Sequence, residues 1–431
     1  MKNNPILHTD TLILGAGLSG LSTAFHLEKA GKTDYLLVEK NDFFGGLCAS
    51  EHIDGFTFDF SGHLLHLRDS YALRLVRQLL PGNLAKLKRK ALVYFEDKLI
   101  PFPFQAHLWA VSSQVRQECL QGAAKAAQTP FKKPDNFRQW CLQSFGEGIY
   151  RHFMGPYNRK LWQTDPADMT WDWCGPFVPA PDTEQIQAGA VKPNPKPFGY
   201  NAHFYYPKQG GIGALANALA AQVPNTWLNA QVQRIDLRKK EALINGKIVR
   251  FQHLINTLPL KAFIQMCAHA PESVRQAALL LKHTSVHVLN IAINRPALDI
   301  SWIYFPQKDT PYYRVGVQSA FAQSNAPQGC SSFYVETAEK ITDFDAAKQA
   351  ILKDLSQKGI IKEQDKILLS YWQTLPVAYA IYDKNRANAT HKILGWLNKN
   401  GCICVGRYGL WEYSFMERSL LQGRQAAQKV L

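Results

Sequence analysis

The sequence contains no long hydrophobic run. None of its apolar stretches approaches the roughly 18–20 consecutive residues that cross a bilayer. The first residues, Met1 to Ile6, carry no apolar core of a secretory signal, and a strand pattern begins directly after them. We therefore expect a cytoplasmic protein without a transmembrane segment. With 431 residues, 46% of them hydrophobic, the chain is long enough for a large core and more than one structural region.

Metal and disulfide motifs are also missing. The eight cysteines are scattered, with no Cys-x-x-Cys pair and no paired metal-ligand spacing. Cys402 and Cys404 alternate in an apolar segment, which predicts that both lie on one face of a strand. The sequence therefore predicts buried, reduced thiols and no metal site.

No long basic block accompanies the formal net charge of +15, and the densest basic run is Lys86 to Lys90. Such an excess suits nucleic acid, an anionic membrane surface, or an anionic substrate and cofactor. Because the chain has no basic motif interleaved with aromatic residues, we expect a small anionic ligand and no nucleic-acid partner.

The first forty residues carry the strand, glycine turn, helix, strand and acid pattern of a dinucleotide-binding unit. An apolar run over 11–14 leads into Gly15-Ala-Gly17-Leu-Ser-Gly20. Gly15 permits a tight turn, Gly17 lets backbone N–H groups approach a pyrophosphate, and Gly20 lets the helix pack on the strand. Glu39 ends the second strand pattern. At this position of a dinucleotide-binding unit, a carboxylate accepts hydrogen bonds from the ribose hydroxyls.

The segment after Glu39 favours FAD over NAD. Gly45 and Gly46 follow it closely, and Gly62-His63 ends a further strand-like stretch. A Gly-Gly pair lets the backbone pass close to a second, bulkier cofactor segment, as in the glutathione-reductase-like and amine-oxidase-like FAD proteins, which this pattern resembles.

Hydrophobic periodicity predicts the remaining elements. Helical patterns cover 71–80 and 136–142, a hairpin covers 91–100, strands follow Trp227, and 285–337 alternates as strands. We also predict a loop from Pro176 to Pro197 and a final helix from Ser419 to Val430.

These patterns predict an α/β fold with a Rossmann-like, glutathione-reductase-like FAD-binding domain. The domain is expected to be discontinuous, and it is interrupted by a helical insert and by a second mixed or antiparallel sheet. The predicted ranges are 1–70, 203–260 and 390–431 for the FAD-binding domain, 71–202 for the helical domain, and 261–389 for the mixed-sheet domain.

Several segments together resemble the UDP-galactopyranose mutases, particularly the eukaryotic type, within the amine-oxidase and protoporphyrinogen-oxidase-like FAD proteins. The segments that carry the resemblance are Gly62-His63, Pro101-Phe-Pro-Phe-Gln105, Tyr157-Asn158-Arg-Lys-Leu-Trp162, Pro311-Tyr-Tyr-Arg314 and Gly406-Arg407-Tyr-Gly-Leu-Trp-Glu-Tyr413. The resemblance implies an enzyme that rearranges a nucleotide sugar on reduced FAD, with NAD(P)H as a candidate reductant.

The resemblance also implies roles for individual residues. The expected catalytic residues are His63, Asn158, Trp162 and Arg407. The expected cofactor-binding residues are Gly15, Gly17, Gly20, Glu39, Gly45, Gly46, Gly62, Val232 and Gly406. The expected substrate-binding residues are Arg89, Phe102, Gln105, Tyr157, Asn201, Arg295, Arg314, Tyr379 and Tyr413.

The sequence departs from the mutase pattern at four positions. Phe177 stands where a mutase arginine is expected, and Arg295 lies one residue out of register with another. His66 replaces a usual aromatic residue, and Phe102 replaces a tyrosine of the uridine clamp. These changes predict a remodelled site whose substrate differs from UDP-galactose.

Alternatives remain open for single residues and for the function. His63 is either a turn residue or a neighbour of the flavin, and Arg407 is either a salt-bridge residue or a ligand of the cofactor or substrate. The missing arginine at Phe177 favours an ordinary FAD-dependent oxidase or dehydrogenase, whereas Arg407, Asn158 and Gln105 favour a mutase. A flavin-bearing nucleic-acid or structural protein is the weakest interpretation.

Overall fold

A computed structural model describes residues 6–194, 198 and 202–431 as a mixed α/β protein. The strands are β1 (Leu7–Leu14), β2 (Tyr35–Val38), β3 (Ser50–Ile53), β4 (Phe56–Asp59), β5 (Leu84–Lys88), β6 (Ala91–Phe95), β7 (Lys98–Pro101), β8 (His203–Pro207), β9 (Thr226–Trp227), β10 (Val232–Asp236), β11 (Glu241–Ile244), β12 (Lys247–Asn256), β13 (His283–Ile293), β14 (Trp302–Tyr304), β15 (Arg314–Val317), β16 (Ser331–Thr337), β17 (Ile367–Ala380) and β18 (Cys402–Cys404).

The α-helices are α1 (Leu18–Lys29), α2 (Ser70–Leu79), α3 (Ser113–Gln128), α4 (Phe137–Ile149), α5 (Gly155–Trp162), α6 (Cys174–Phe177), α7 (Thr183–Val191), α8 (Gly213–Ala220), α9 (Leu260–Met266), α10 (Glu272–Leu279), α11 (Phe344–Gln357), α12 (Arg386–Lys399), α13 (Gly406–Gly409) and α14 (Met416–Gln428). Short 3-10 turns cover Gly46–Cys48, Phe104–Ala106, Leu108–Ala110, Pro166–Asp168, Gln318–Ala320 and Gln323–Asn325, and a π-helical turn covers Tyr150–Met154.

The first sheet joins distant parts of the chain. Its order is β10-β11-β12-β1-β2-β9, and β18 also pairs with β12. Strands β2, β1, β12 and β18 run parallel, with Leu14 level with Val38 and Asn256, and Asn256 level with Cys404. The carboxyl ends of these strands therefore meet at one edge, and the turns that follow them lie together.

Both faces of this sheet are covered, which explains its apolar strands. Successive residues of β1 alternate between the two cores. Ile13 lies in a core with α1, α8 and α14, whereas Leu12 and Leu14 lie in a core with α9, α10 and α12. The parallel strands are thereby fixed between two helical layers.

The second sheet has the order β17-β13-β16-β15-β14-β6-β7. Its strands are antiparallel except for the parallel pair β6–β14. Strands β13 to β16 come from the segment predicted to alternate, and the predicted hairpin over 91–100 forms β6 and β7. The hairpin joins this sheet although it lies within the range predicted as a helical insert, so the insert also contributes strands.

A helical layer packs beside the second sheet around Phe104, Phe137 and Trp162. The predicted helices 71–80 and 136–142 correspond to α2 and α4. The predicted loop Pro176–Pro197 is wrong in part, because α7 lies within it. Asp182 and Gln185 form a reciprocal capping box at the start of α7, which explains a helix between prolines.

Other details of the fold are smaller. The final helix begins at Met416, three residues before the predicted Ser419. Cys402 and Cys404 do lie on one strand, and all eight cysteines are unpaired. In the described ranges, no helix combines the length and the apolar character needed to cross a membrane.

Candidate functional site

The turn after β1 brings the predicted glycines against helix α1. A Cβ on Gly20 would overlap the carbonyl oxygen of Gly15, so only glycine lets the helix start this close to the strand. Gly17 is the N-cap of α1, where no side chain caps the helix and no acidic residue occupies the first turn. Because uncapped N–H groups and the helix dipole favour an anion, the turn fits a pyrophosphate.

The second glycine pair faces this turn. The backbone N–H of Gly45 donates to the carbonyl oxygen of Ala16 at 2.9 Å, and Gly45 forms an isolated bridge with Gly17. A Cβ on Gly46 would lie 3.5 Å from the Cα of Gly17. The two glycine segments therefore form a backbone cradle at the N-terminus of α1, in which side chains would fill the space of a bound group.

Glu39 lies at the end of β2 and is buried. Its carboxylate accepts hydrogen bonds from the backbone N–H of Ala16 at 2.9 Å and of Asn41 at 3.0 Å. Its own carbonyl accepts from the N–H of Ala230 at 2.7 Å, which brings the segment before Val232 beside it. These contacts hold the acid at the mouth of the glycine turn, the place that a ribose would occupy.

The C-terminal turn closes the same edge of the sheet. Gly406 begins α13 directly after β18, and a Cβ there would overlap the Ser19 hydroxyl on α1. The N–H of Gly406 donates to the Gln422 side chain at 2.9 Å. Three glycine segments from distant parts of the chain therefore converge on the uncapped N-terminus of α1, and the absence of side chains there fits the diphosphate of FAD.

The Ser61-Gly62-His63 turn extends from this edge towards the second sheet. Ser61 has a left-handed backbone with φ 72°, and a Cβ on Gly62 would overlap the hydroxyl of Tyr334. Burial lowers the pKa of His63 to about 4, and the nearby Arg407 acts in the same direction. The imidazole is therefore neutral at pH 7.

A buried ion pair on the second sheet meets this turn. The Arg314 guanidinium donates through Nε and Nη2 to both carboxylate oxygens of Glu336, each at 2.7 Å. The hydroxyl of Ser61 donates to the same carboxylate. The Glu336 side chain is fully buried and that of Arg314 is 15% exposed. Arg314 thus lies at the site, but its charge is balanced by a carboxylate.

Arg407 lies between two tyrosine rings. Its guanidinium carbon is 5.1 Å from the centre of the Tyr379 ring and 5.2 Å from that of Tyr413. It donates to the carbonyl oxygens of Ala378 and Ser414. In the part of the chain that the structure describes, its charge is paired with no carboxylate, and cation–π contacts hold it in place.

Phe177 packs against the same tyrosine, with its ring centre 4.2 Å from that of Tyr413. The structure therefore places this residue, where a mutase arginine was expected, beside the predicted substrate residues. An apolar ring supplies packing at this point and no charge for an anion.

Asn158 and Trp162 lie on α5 and are buried. The Asn158 side chain donates to the carbonyl of Met154 at 2.8 Å and accepts from the indole N–H of Trp162 at 3.1 Å. Both ends of the amide are thus used within α5 and the π-helical turn that precedes it. Lys160 ties α5 to the loop before β15 by donating to the carbonyls of Phe305, Gln307 and Tyr312.

Tyr157 forms an aromatic wall next to the ion pair. Its ring stacks on Phe153 at 5.6 Å and meets Tyr304 edge-on at 5.1 Å and Tyr313 at 6.3 Å. Burial raises the pKa of Tyr157 well above its usual value, so the hydroxyl stays protonated.

Arg89 and Phe102, predicted to belong to the base-binding arm, lie together. The Arg89 guanidinium lies 5.0 Å from the centre of the Phe102 ring and donates to the Phe198 carbonyl at 2.9 Å. Gln105 is buried, and its amide N–H group donates to the Pro179 carbonyl at 2.8 Å, while its Oε1 has no hydrogen-bond partner. The predicted Asn201 lies outside the described residues.

Arg295 does not lie with the other predicted residues. Thr284, on β13, is level with Tyr379, and Arg295 follows eleven residues later. At about 3.3 Å per residue, the two ends are roughly 35 Å apart. Arg295 instead donates to the Asp365 carboxylate at 2.6 Å and to the Ile360 carbonyl at 3.0 Å. Its expected contact with substrate is therefore inconsistent with its position, because the strand carries it to the far end of the sheet.

We expect Arg295→Met to lower stability and leave ligand binding unchanged. The change removes the partner of Asp365, whose side chain is 2% exposed, and costs about 1–3 kcal/mol. Thermal melts with and without UDP measure both effects. A lower melting temperature with the same UDP-induced shift as the unaltered protein is expected, and loss of that shift would contradict this placement.

The sequence did not reveal Glu336, Ser61 or Tyr334 as parts of the site. A charged residue directly after the apolar run 333–335 was the available signal for Glu336. Its partner could not be inferred, because the pairing of Glu336 with Arg314 depends on the register of β15 and β16.

The comparisons with known proteins agree with this architecture. The family described as flavin containing amine oxidoreductase matches residues 18–431, and the chain belongs to this family. A crystal structure of reduced UDP-galactopyranose mutase superposes with a TM-score of 0.93 at 26% identity, covering 98% of this chain and 95% of that one. The predicted resemblance is thereby confirmed: the fold is that of a UDP-galactopyranose-mutase-like member of the FAD-containing superfamily.

Other relatives are more distant or shorter. A putative protoporphyrinogen oxidase from Exiguobacterium sp. 255-15 has a TM-score of 0.76 at 14% identity, covering 99% of both chains, which shows the fold alone. An uncharacterized protein in the nifH2 3′ region of Methanothermococcus thermolithotrophicus is 47% identical over 66 residues, 15% of this chain and 63% of that protein. A phytoene desaturase of Fusarium fujikuroi is 48% identical over 56 residues, 13% of this chain and 10% of that protein. The chain thus spans less than two thirds of these two curated relatives.

Proposed function

We propose that this chain is an FAD-dependent enzyme that interconverts ring forms of a nucleotide sugar. The observation that carries the proposal is the position of Arg407. It follows the glycine that closes the cofactor edge, and it lies between Tyr379 and Tyr413 with no carboxylate partner among the described residues. A guanidinium held in this way suits the two phosphates of a nucleotide sugar. The fold shared with the mutase supports the same proposal.

The aromatic wall suits the sugar. Tyr157 and Tyr304 offer ring faces and edges next to the Ser61-Gly62-His63 turn. Trp162 packs against Tyr379, with their ring centres 5.5 Å apart. Asn158 fixes the Trp162 ring and thereby shapes the wall. In this proposal Asn158 is a positioning residue, since both ends of its amide are used by Met154 and Trp162.

The base binds at Gln105 in this proposal. The unpartnered Oε1 of this buried amide is an acceptor for an N–H group of the base, because buried polar atoms require partners. Phe102 offers a ring face, and Arg89 adds positive charge over it. Together with Arg407, these groups hold the two ends of an extended anionic substrate.

Reduced FAD, when bound, supplies a nucleophilic ring nitrogen that can displace the diphosphate from the anomeric carbon. Arg407 would keep the displaced diphosphate within reach for the return step, which makes recombination effectively intramolecular. His63 is neutral at pH 7 and so adds no charge beside the flavin. The reaction is redox-neutral, and NAD(P)H is the proposed reductant that prepares the flavin.

The test uses purified holoprotein reduced anaerobically and incubated with UDP-, GDP- and dTDP-hexoses. Conversion of at least one sugar, separated by chromatography and absent with oxidised protein, is the expected result. The proposal fails if the reduced protein leaves the whole panel unchanged.

A second function has one observation in its favour. Phe177 occupies the expected arginine position and Glu336 balances Arg314, so the site holds less positive charge than the mutase pattern implies. An FAD-dependent oxidoreductase acting on an amine or an unsaturated carbon skeleton needs less positive charge at its site. Its substrate would bleach the flavin stoichiometrically without oxygen, whereas a mutase substrate would leave the net redox state unchanged.

A further inference from the structure

Glu336 connects two parts of the site that the sequence treats as separate. Its carboxylate accepts two hydrogen bonds from Arg314 and one from the hydroxyl of Ser61. It lies on β16, level with Arg314 on β15, and has no exposed surface. One carboxylate therefore holds both the second arginine of the site and the turn that carries His63.

The charges at the site do not match a diphosphate in this arrangement. A nucleotide sugar carries a negative charge on each phosphate. Arg407 supplies one positive charge, Glu336 cancels that of Arg314, and Phe177 supplies none. A second cation is available to the anion when Arg314 turns from Glu336 to the ligand.

Movement of Arg314 away from Glu336 would also affect the Ser61-Gly62-His63 turn. Ser61 adopts a left-handed backbone, and Gly62 is wedged against Tyr334. A hydroxyl held by Glu336 helps to maintain this conformation, because such a backbone persists only where its surroundings impose it.

Loss of the contact with Arg314 would change the pKa of Glu336. Burial alone would raise its pKa, but the charge and hydrogen bonds of Arg314, with the Ser61 hydrogen bond, hold the pKa below its usual value. The other titratable or charged groups that face it are Tyr157 on α5, Tyr313 directly before β15, Tyr334 on its own strand and His63 on the turn. These tyrosines stay protonated and His63 stays neutral near pH 7. Glu336 is therefore the group among them that can take up a proton.

We propose that a bound diphosphate takes over the Arg314 hydrogen bonds from Glu336, that Glu336 then takes up one proton from solvent, and that Ser61 passes the change to the His63 turn. The identity of the anion rests on the proposed function, but the exchange itself does not. Glu336 is thus a positioning residue that couples anion binding to the Ser61-Gly62-His63 turn.

The first test uses the unaltered holoprotein. Calorimetric titration with UDP-glucose at pH 7, in two buffers of different ionisation enthalpy, counts the protons taken up. This ligand is a diphosphate diester with no group that titrates near neutrality. We expect uptake of about one proton per ligand and a change in the flavin absorption spectrum. Binding without proton uptake would overturn the proposal.

The second test compares Glu336→Gln with Asp365→Asn. Both remove the charge of a buried carboxylate paired with an arginine, but Asp365 lies at the far end of the second sheet. We expect Glu336→Gln to bind UDP-glucose and sulfate about tenfold more tightly, without proton uptake, because Arg314 no longer has a competing anion. The control variant should bind like the unaltered protein.

The outcomes separate this proposal from the proposed function. Tighter sulfate binding by Glu336→Gln supports the exchange. If the unaltered reduced holoprotein converts no nucleotide sugar, the mutase function is rejected while the exchange stands. Conversion of a nucleotide sugar, with equal affinities in both variants and no proton uptake, rejects the exchange and leaves the mutase function standing. Failure of both anions to bind more tightly to Glu336→Gln overturns the exchange.

Discussion

Arg407→Lys is expected to lower kcat/KM for nucleotide-sugar conversion about 100- to 1,000-fold, which corresponds to about 3–4 kcal/mol. Lysine keeps the charge, so the loss would come from geometry. Arg407 uses Nε and Nη2 on the Ala378 carbonyl and Nη1 on the Ser414 carbonyl, while two tyrosine rings hold the guanidinium plane. A single ammonium group cannot make these contacts and also meet two phosphates.

Arg275→Lys is the matched control. Arg275, like Arg407, makes three hydrogen bonds to backbone carbonyls, here those of Cys267, Ala268 and Ala270, but it lies on α10. The control should share the structural cost and keep full activity. Steady-state kinetics and UDP titration measure both variants. Equal losses in the two would show that Arg407 acts through stability and not through the anion.

Gly20→Ala is expected to abolish retention of FAD, with an affinity loss of at least about 100-fold. The new Cβ would overlap the Gly15 carbonyl oxygen and lie 3.1 Å from its carbon, and the nearest side-chain atom, Leu37 Cδ1, lies 3.4 Å away. Relief requires α1 to move off the turn, because the overlapping atom belongs to the backbone and no side chain can rotate away. The N–H groups of the helix would then leave the position that suits a pyrophosphate.

Gly395→Ala is the control for this change. Gly395 also lies within a helix, α12, but nothing lies within 4 Å of a Cβ there. Alanine should be neutral or stabilise the protein by up to about 1 kcal/mol. The ratio of flavin to protein absorbance after gel filtration measures cofactor retention. A Gly20→Ala variant that keeps a full complement of flavin would contradict the role given to this turn.

The cofactor side of the site was predictable because its signals are local. The spacing of Gly15, Gly17 and Gly20 fixes a turn and the start of a helix within six residues, and Glu39 ends the next strand. The same holds for Gly406, which begins a helix directly after a short strand. Such segments carry their conformational requirements in their own residue types.

The substrate side was predictable only through resemblance, and less completely. Asn158 was expected to be a catalytic residue, yet its amide is satisfied locally by Met154 at the end of the π-helical turn and by Trp162 on α5. Arg295 and Arg314 were both expected to bind the substrate. One lies at the far end of the second sheet and the other faces the His63 turn.

The sequence by itself therefore determined the mixed α/β class, the flavin-binding family and the turns that fit its cofactor, because each depends on a short run of residues. Tertiary structure decided which charges meet at the site. The balance of Arg314 by Glu336, the link to Ser61 and the exclusion of Arg295 all depend on strand register and on contacts between segments far apart in the chain. Residue spacing along the chain does not specify such pairings, because register arises only when the sheets assemble around a common core.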